Sequence, residues 1–136
     1  MSVAVEGLRF FDTNVPLYLL SGDAAKAGRA EDLLAEGGTI SVQVLNEFVA
    51  VALRKHRASW PAIEDLLSAL KSLCRVEPLS LAVHVRAMGI AKRYRLHVYD
   101  ACIAASAIEA GCSTLYSEDL QHGQSIDALN VINPFR

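Results

Sequence analysis

The chain has 136 residues, of which 52% are hydrophobic and 21% charged, and this is the composition of one globular domain with its own hydrophobic core. No segment approaches the roughly 20 uninterrupted apolar residues of a membrane helix, and residues 1–7 carry no export signal, so we expect a single cytoplasmic domain over residues 1–136. The formal net charge of −2 excludes general electrostatic attraction to nucleic acid, so any such contact must be local.

Short apolar runs predict five strands, and these are, in chain order, residues 8–11, 39–41, 76–79, 113–116 and 130–132. Apolar residues spaced three or four apart predict helices between the strands, at residues 24–36, 42–57, 59–73, 80–94 and 100–110. Asp23 is a typical cap before the first of these helices, and Gly111 ends the last. Because strands and helices alternate without a hairpin turn signal, we expect a parallel α/β sheet with helices on both faces.

Acidic residues follow two of the predicted strands. Asp12 comes directly after the first strand, and Asp119 follows the fourth. Taken singly, each is more often a helix cap or a solvated loop acid. Open α/β sheets bind their ligands beyond the carboxyl ends of the strands, so acids at two strand ends favour a functional site there.

Two further acids lie on predicted helices. Glu47 shares a helix face with Val44 and Val51, which indicates that it points inward, where an unpartnered carboxylate is costly. A position on the flank, from which Glu47 reaches solvent, explains the pattern equally well. Asp100 opens the last helix, where the helix dipole favours an acid, yet it shares a face with Ile103 and would then also point inward.

Four converging carboxylates would repel one another unless a cation were present. Mg²⁺ and Mn²⁺ prefer carboxylate and water oxygens, and they support hydrolysis of phosphodiesters by activating water and neutralising charge. Thr13, Asn14 and Ser117 are predicted to position the acids or the attacking water. The residues thus predict a metal-dependent catalytic site composed of Asp12, Glu47, Asp100 and Asp119.

The candidates for contacting a substrate are Arg9, Arg54, Arg93 and Arg95, but the sequence does not place them on the face of the predicted site. Two basic clusters, Arg54–Arg57 and Lys92–Arg95, fall at predicted helix C-termini, where complementing the helix dipole is favoured over binding phosphate. His97 and Tyr99 beside Asp100 are interpreted as packing residues. His122 is interpreted as a surface loop residue with no special role.

The sequence resembles the PIN-domain ribonucleases, and most closely the VapC-type toxins of bacterial toxin–antitoxin pairs. The matching segments are Phe11–Asn14, Ser41–Phe48, Tyr99–Ala107 and Leu115–Leu120, in the order of the family. The resemblance implies a three-layer α/β/α sandwich with a parallel sheet of about five strands, cleavage of RNA with Mg²⁺ or Mn²⁺, a homodimer and a cognate antitoxin partner. Asp12, Glu47, Asp100 and Asp119 match the four acidic positions of the family.

Two alternatives remain open at this point. A phosphoacceptor receiver-like signalling module also places acids around Mg²⁺ at strand ends. It needs an acceptor Asp at the third strand and a Lys at the last, where this chain has Val76–Leu79 and Asn130–Ile132. The other alternative is a PIN-fold module that binds RNA or a partner without cleaving it, and the complete set of four acids argues against that.

Overall fold

The structure is a computed structural model that describes residues 8–136. Residues 1–7, for which no export signal is predicted, lie outside the described residues, so the single domain over residues 1–136 stays a prediction. Within the described part, none of the helices is long and apolar enough to cross a membrane.

A sheet of six strands runs through the described residues. The strands are β1 (Arg9–Phe11), β2 (Gly38–Ser41), β3 (Cys74–Glu77), β4 (Thr114–Tyr116), β5 (Ser125–Ile126) and β6 (Leu129–Ile132). Their order is β3-β2-β1-β4-β6-β5, and every neighbouring pair is parallel except β5 and β6. In the register of the central strands, Phe10 of β1 lies opposite Thr39 on one side and Leu115 on the other.

Six helices connect these strands. They are α1 (Asn14–Leu17), α2 (Ala24–Ala35), α3 (Val42–Arg54), α4 (Trp60–Leu73), α5 (Leu81–Tyr94) and α6 (Val98–Glu109). The side chains of Ser41, Ser59 and Ser80 cap α3, α4 and α5 by accepting a backbone N–H three residues later. Because parallel crossovers are right-handed, the helices before β3 lie on one face of the sheet and α5 and α6 on the other. The predicted α/β sandwich is confirmed.

One element of the sheet differs from the prediction. Strands β5 and β6 form an antiparallel hairpin, so the sheet has six strands rather than about five and is mostly, not entirely, parallel. The loop between them is Asp127-Ala128, and Asp127 has a left-handed backbone with φ of 53°. Aspartate tolerates this conformation better than most residues do. The pair lacks the glycine that makes hairpin turns recognisable in a sequence.

Several element boundaries also differ from the prediction, and two of these differences have a clear physical cause. Strand β3 lies two residues earlier than residues 76–79 and ends before Pro78, which has no N–H to donate to a neighbouring strand. Helix α6 begins at Val98 rather than Asp100, because His97 caps it through Nδ1, which accepts the backbone N–H of Tyr99. Asp100 therefore lies inside the first turn of α6.

The strand order locates the place where a ligand should bind. From β1 the chain proceeds outward through β2 to β3, and it then returns to form β4 on the other side of β1. Such a reversal leaves a crevice at the carboxyl ends of the two strands that flank it, here β1 and β4. Receiver domains have the order 2-1-3-4-5. The receiver alternative is therefore wrong.

Candidate metal centre

Asp12 lies at the carboxyl end of β1, in the crevice beside β4. Its side chain is only 3% exposed, and both of its oxygens accept hydrogen bonds. Oδ1 accepts the backbone N–H of Thr13 at 2.7 Å, and Oδ2 accepts the hydroxyl of Ser117 at 2.7 Å. Asp12 does not cap α1, whose N-cap is Thr13 without a side-chain hydrogen bond. The carboxylate is instead held in a fixed orientation at the mouth of the sheet.

Ser117 joins Asp12 to the loop that follows β4. Its side chain is fully buried, and while its hydroxyl donates to Asp12, its oxygen accepts the backbone N–H groups of Asp119 and Leu120 at 3.1 and 3.3 Å. One hydroxyl therefore fixes both the Asp12 carboxylate and the backbone from which Asp119 projects. Asp119 itself is exposed at the edge of the crevice.

Three acids from three separate segments meet in the crevice. Asp12, Asp100 and Asp119 each place a carboxylate oxygen within 4.8 Å of the other two. Ligands on opposite sides of Mg²⁺ are about 4.2 Å apart, since each lies about 2.1 Å from the ion. Small side-chain movements would bring all three oxygens onto one ion, so the residues present fit a divalent cation.

Glu47 lies in the same cleft but outside this close group of three among the described residues. It is half-buried, and its Oε1 accepts the hydroxyl of Thr13 at 2.8 Å. The carboxylate thus faces the cleft, and the flank position that would carry it into solvent is not observed. Its charge adds to the negative potential around the other acids.

The electrostatics of the site favour a bound cation. Burial raises the pKa of Asp12 to about 7, against the hydrogen bonds from Ser117 and Thr13 that lower it, and the charges of Asp119 and Asp100 raise it further. Burial also raises the pKa of Asp100, with a smaller contribution from the charge of Asp119. A divalent cation would remove this penalty because it stabilises the ionised form of each ligand.

The residues predicted to position the acids differ in what they contact. Thr13 and Ser117 hydrogen-bond to Glu47 and Asp12, whereas Asn14 accepts the backbone N–H of Glu118 at 3.2 Å and so contacts the loop rather than an acid. Sequence reasoning missed Gln43, whose Nε2 donates to the Tyr99 carbonyl at 3.2 Å and ties α3 to α6. The available signal was a polar residue in the first turn of α3, one position before Val44 of its apolar stripe.

The cleft around these acids has a volume of about 610 Å³ and is also lined by residues of other kinds. Tyr99 lines it and is 61% exposed, so the interpretation of Tyr99 as a packing residue was wrong. Arg54, Lys55 and His56 of the first basic cluster line it as well. The cluster at the C-terminus of α3 therefore borders the acids, which the helix-dipole interpretation did not anticipate.

Comparison with protein families agrees with the fold. The PIN domain profile matches residues 9–124. The chain belongs to the PIN domain family, and the predicted family is confirmed. No curated protein sequence matches the chain significantly.

Solved structures with the same fold include several toxins and their complexes. VapC20 of Mycobacterium tuberculosis, described as a sarcin-ricin loop cleaving toxin, is 24% identical, with a TM-score of 0.67 over 82% of this chain and 89% of that one. A toxin–antitoxin complex from Klebsiella pneumoniae is 23% identical, with a TM-score of 0.70 over 93% and 97%. VapBC2 of Rickettsia felis, bound to a DNA fragment from its promoter, is 17% identical, with a TM-score of 0.66 over 91% and 96%.

Proposed function

We propose that the protein is an endoribonuclease that hydrolyses RNA phosphodiester bonds with Mg²⁺ or Mn²⁺ held by Asp12, Asp100 and Asp119, and with Glu47 beside them. The observation that carries the proposal is the convergence of three carboxylate oxygens, from three distant segments, within 4.8 Å in an open cleft. Membership of the PIN domain family supports a nuclease. Hard divalent cations are the partners that such an all-oxygen donor set prefers.

The protein side chains orient the reaction in this proposal. A divalent cation held by the acids would activate a water molecule and neutralise charge on the phosphodiester. Asp12 provides the fixed ligand because both of its oxygens are already oriented by Thr13 and Ser117. Glu47 is anchored through Oε1, and the described residues offer its Oε2 no hydrogen bond, which leaves this oxygen to orient a water.

We also propose a protein partner, an oligomeric state and a cellular location for this ribonuclease. The structures of similar fold are a VapC toxin and toxin–antitoxin complexes, which supports a toxin that pairs with a cognate antitoxin protein. The homodimer and the cytoplasmic location expected from the sequence belong to the same proposal. Copurification with a coexpressed antitoxin and the mass of the free protein in solution test the two assemblies.

The decisive experiment is mapping cleavage ends on total cellular RNA with Mg²⁺, with Mn²⁺ and with a chelator. We expect cuts only with metal, and none with the Asp12→Asn or Asp100→Asn variants. Asp65→Asn is the matched control, since it removes one exposed acid from α4, outside the cleft. Equal cleavage by the wild type and both site variants contradicts the proposal, whereas RNA binding without cleavage under any metal condition supports a non-cleaving PIN module.

A further inference from the structure

We propose that Arg54 and Lys55 form a phosphate-binding subsite, and that Tyr99 stacks on an unpaired base, so that the cleft holds RNA as a single strand along α3. This inference rests on the proposed function, because it assigns the substrate contacts of the same cleft. It identifies Arg54, Lys55 and Tyr99 as the side chains of this chain that contact the substrate beside the acids.

Helix α3 places the basic residues at a defined distance from the acids. Val51 lies four residues after Glu47, and Arg54 lies seven residues after Glu47, so the three share one helix face, and all three line the cleft. Two helical turns separate Glu47 from Arg54, a distance of about 10 Å. If RNA is cleaved at the acids, Arg54 would therefore contact a neighbouring phosphate of the RNA rather than the scissile phosphate.

The charges of Arg54 and Lys55 are available to a ligand. Both side chains are exposed, and within residues 8–136 neither takes part in an ion pair or a side-chain hydrogen bond. A cation can complement a helix dipole without facing the cleft. Lys71, for example, lies in the last turn of α4 on a surface outside the cleft. The helix dipole therefore does not explain why Arg54 and Lys55 lie in the same cleft as the acids.

The side of the cleft that Tyr18 and Glu118 line offers no comparable free charge among the described residues. The side chain of Lys26, which is not part of the lining, donates to Glu118 Oε2 at 2.6 Å and to the Tyr18 hydroxyl at 3.1 Å, and Tyr18 also donates to Glu118. Away from the cleft, Arg93 pairs with Asp127 at 2.5 Å. In a protein with a net charge of −2, attraction for phosphate is thus concentrated on the α3 side of the acids.

Tyr99 provides the second contact, on the α6 side of the cleft. The residue is 61% exposed beside Asp100, and its backbone carbonyl accepts a hydrogen bond from Gln43 at the start of α3. Aromatic side chains stack on bases of single-stranded RNA, with about 1–3 kcal/mol per base, and bases stacked inside a duplex cannot reach them. An exposed aromatic ring at one end of α3 and free cations at the other end fit a single strand.

The test measures binding of a labelled single-stranded RNA by fluorescence anisotropy in an Asp100→Asn background with Mg²⁺. Adding Arg54→Gln together with Lys55→Gln should raise Kd about tenfold or more. It should also lower the slope of log Kd against log salt concentration by about 1.4, because each phosphate that is no longer neutralised contributes about 0.7 to that slope. The control pair, Lys71→Gln with Lys92→Gln, removes the same charge from the last turns of α4 and α5. It should change neither quantity.

The stacking contact is tested with Tyr99→Ala and Tyr99→Phe. The alanine variant should raise Kd for the single strand about tenfold and leave Kd for the same RNA in a duplex unchanged, whereas phenylalanine should keep wild-type binding. In the enzyme with intact acids, the changes at Arg54, Lys55 and Tyr99 should raise KM and leave kcat within about twofold.

Two results overturn the inference. One is an equal effect of the Arg54/Lys55 pair and the control pair, and the other is an equal loss of single-stranded and duplex binding in Tyr99→Ala. Absence of cleavage by the wild type would count against the proposed function alone, because the anisotropy measurement needs no cleavage and still decides whether the subsite exists.

Discussion

Asp12 and Asp119 follow the neighbouring strands β1 and β4, and both contact Ser117, but their side chains differ in burial and in hydrogen bonding. Asp12 is buried, and hydrogen bonds fix both of its oxygens, whereas Asp119 is exposed and Ser117 holds only its backbone. Among the described residues, the Asp119 side chain makes no hydrogen bond. One strand end therefore carries a carboxylate with a fixed position, and the other carries an adaptable carboxylate on the open side of the site.

The largest expected difference between the two acids is in activity. Asp12→Asn should lower kcat more than about 1,000-fold, since a fixed ligand has no substitute, and this loss corresponds to about 4 kcal/mol. Asp119→Asn should cost about tenfold and recover partly at high Mg²⁺, because water can replace an exposed ligand. Measuring kcat across a Mg²⁺ titration checks both variants. Equal losses that Mg²⁺ does not relieve would show that the two acids are equivalent.

The second expected difference is in the pH dependence of stability without metal. The pKa of Asp12 is about 7 in the folded protein because of burial, against 3.8 for a free carboxyl group. Between these values the folded state binds a proton that the unfolded state lacks, so the free energy of unfolding should fall as pH rises. The fall is on the order of 4 kcal/mol between pH 4 and pH 7.

Urea unfolding in a chelator at several pH values measures this effect. Asp12→Asn should flatten the profile, and Asp119→Asn should retain it, since the latter residue is exposed. Adding Mg²⁺ at pH 7.5 should restore stability to the wild type, because the cation binds the ionised carboxylates of the folded state. A profile that keeps its slope in Asp12→Asn would assign the buried proton to another group.

The sequence predicted the convergence of the acids because their placement follows from local patterns. The ends of parallel strands meet at one edge of a sheet, and helix faces can be read from residue spacing, which together locate Asp12, Asp119, Glu47 and Asp100. The sequence could not predict which of the four acids lie closest together. The close group of Asp12, Asp100 and Asp119, with Glu47 outside it, depends on how α3 and α6 pack.

Other features depend on contacts that no local pattern encodes. The basic cluster was visible, and the spacing from Glu47 to Arg54 places both on one helix face, but the sequence does not say that the cleft extends as far as the C-terminal end of α3. Tyr99 lies in the first turn of α6, and the sequence missed this early start because the cap is a histidine rather than one of the common capping residues. The hairpin of β5 and β6 lacked a glycine turn signal.

The smallest expected effect comes from Ser117→Ala, which alters the residue that Asp12 and Asp119 share. The change removes a donor to Asp12 and leaves the N–H groups of Asp119 and Leu120 without an acceptor, so stability should fall by about 1–3 kcal/mol. Without that donor, the pKa of Asp12 should rise further and the fall in stability should extend to higher pH.

Thr13→Val is the matched comparison for Ser117→Ala, because it also removes one hydroxyl that contacts an acid of the cleft. It should leave the pH profile in place, since the hydroxyl of Thr13 contacts Glu47 and only its backbone N–H contacts Asp12. If both variants shifted the pH profile of stability equally, the proton assigned to Asp12 would instead be shared among several acids of the cleft. The contrast between a fixed Asp12 and an adaptable Asp119 would then no longer describe how the site responds to pH.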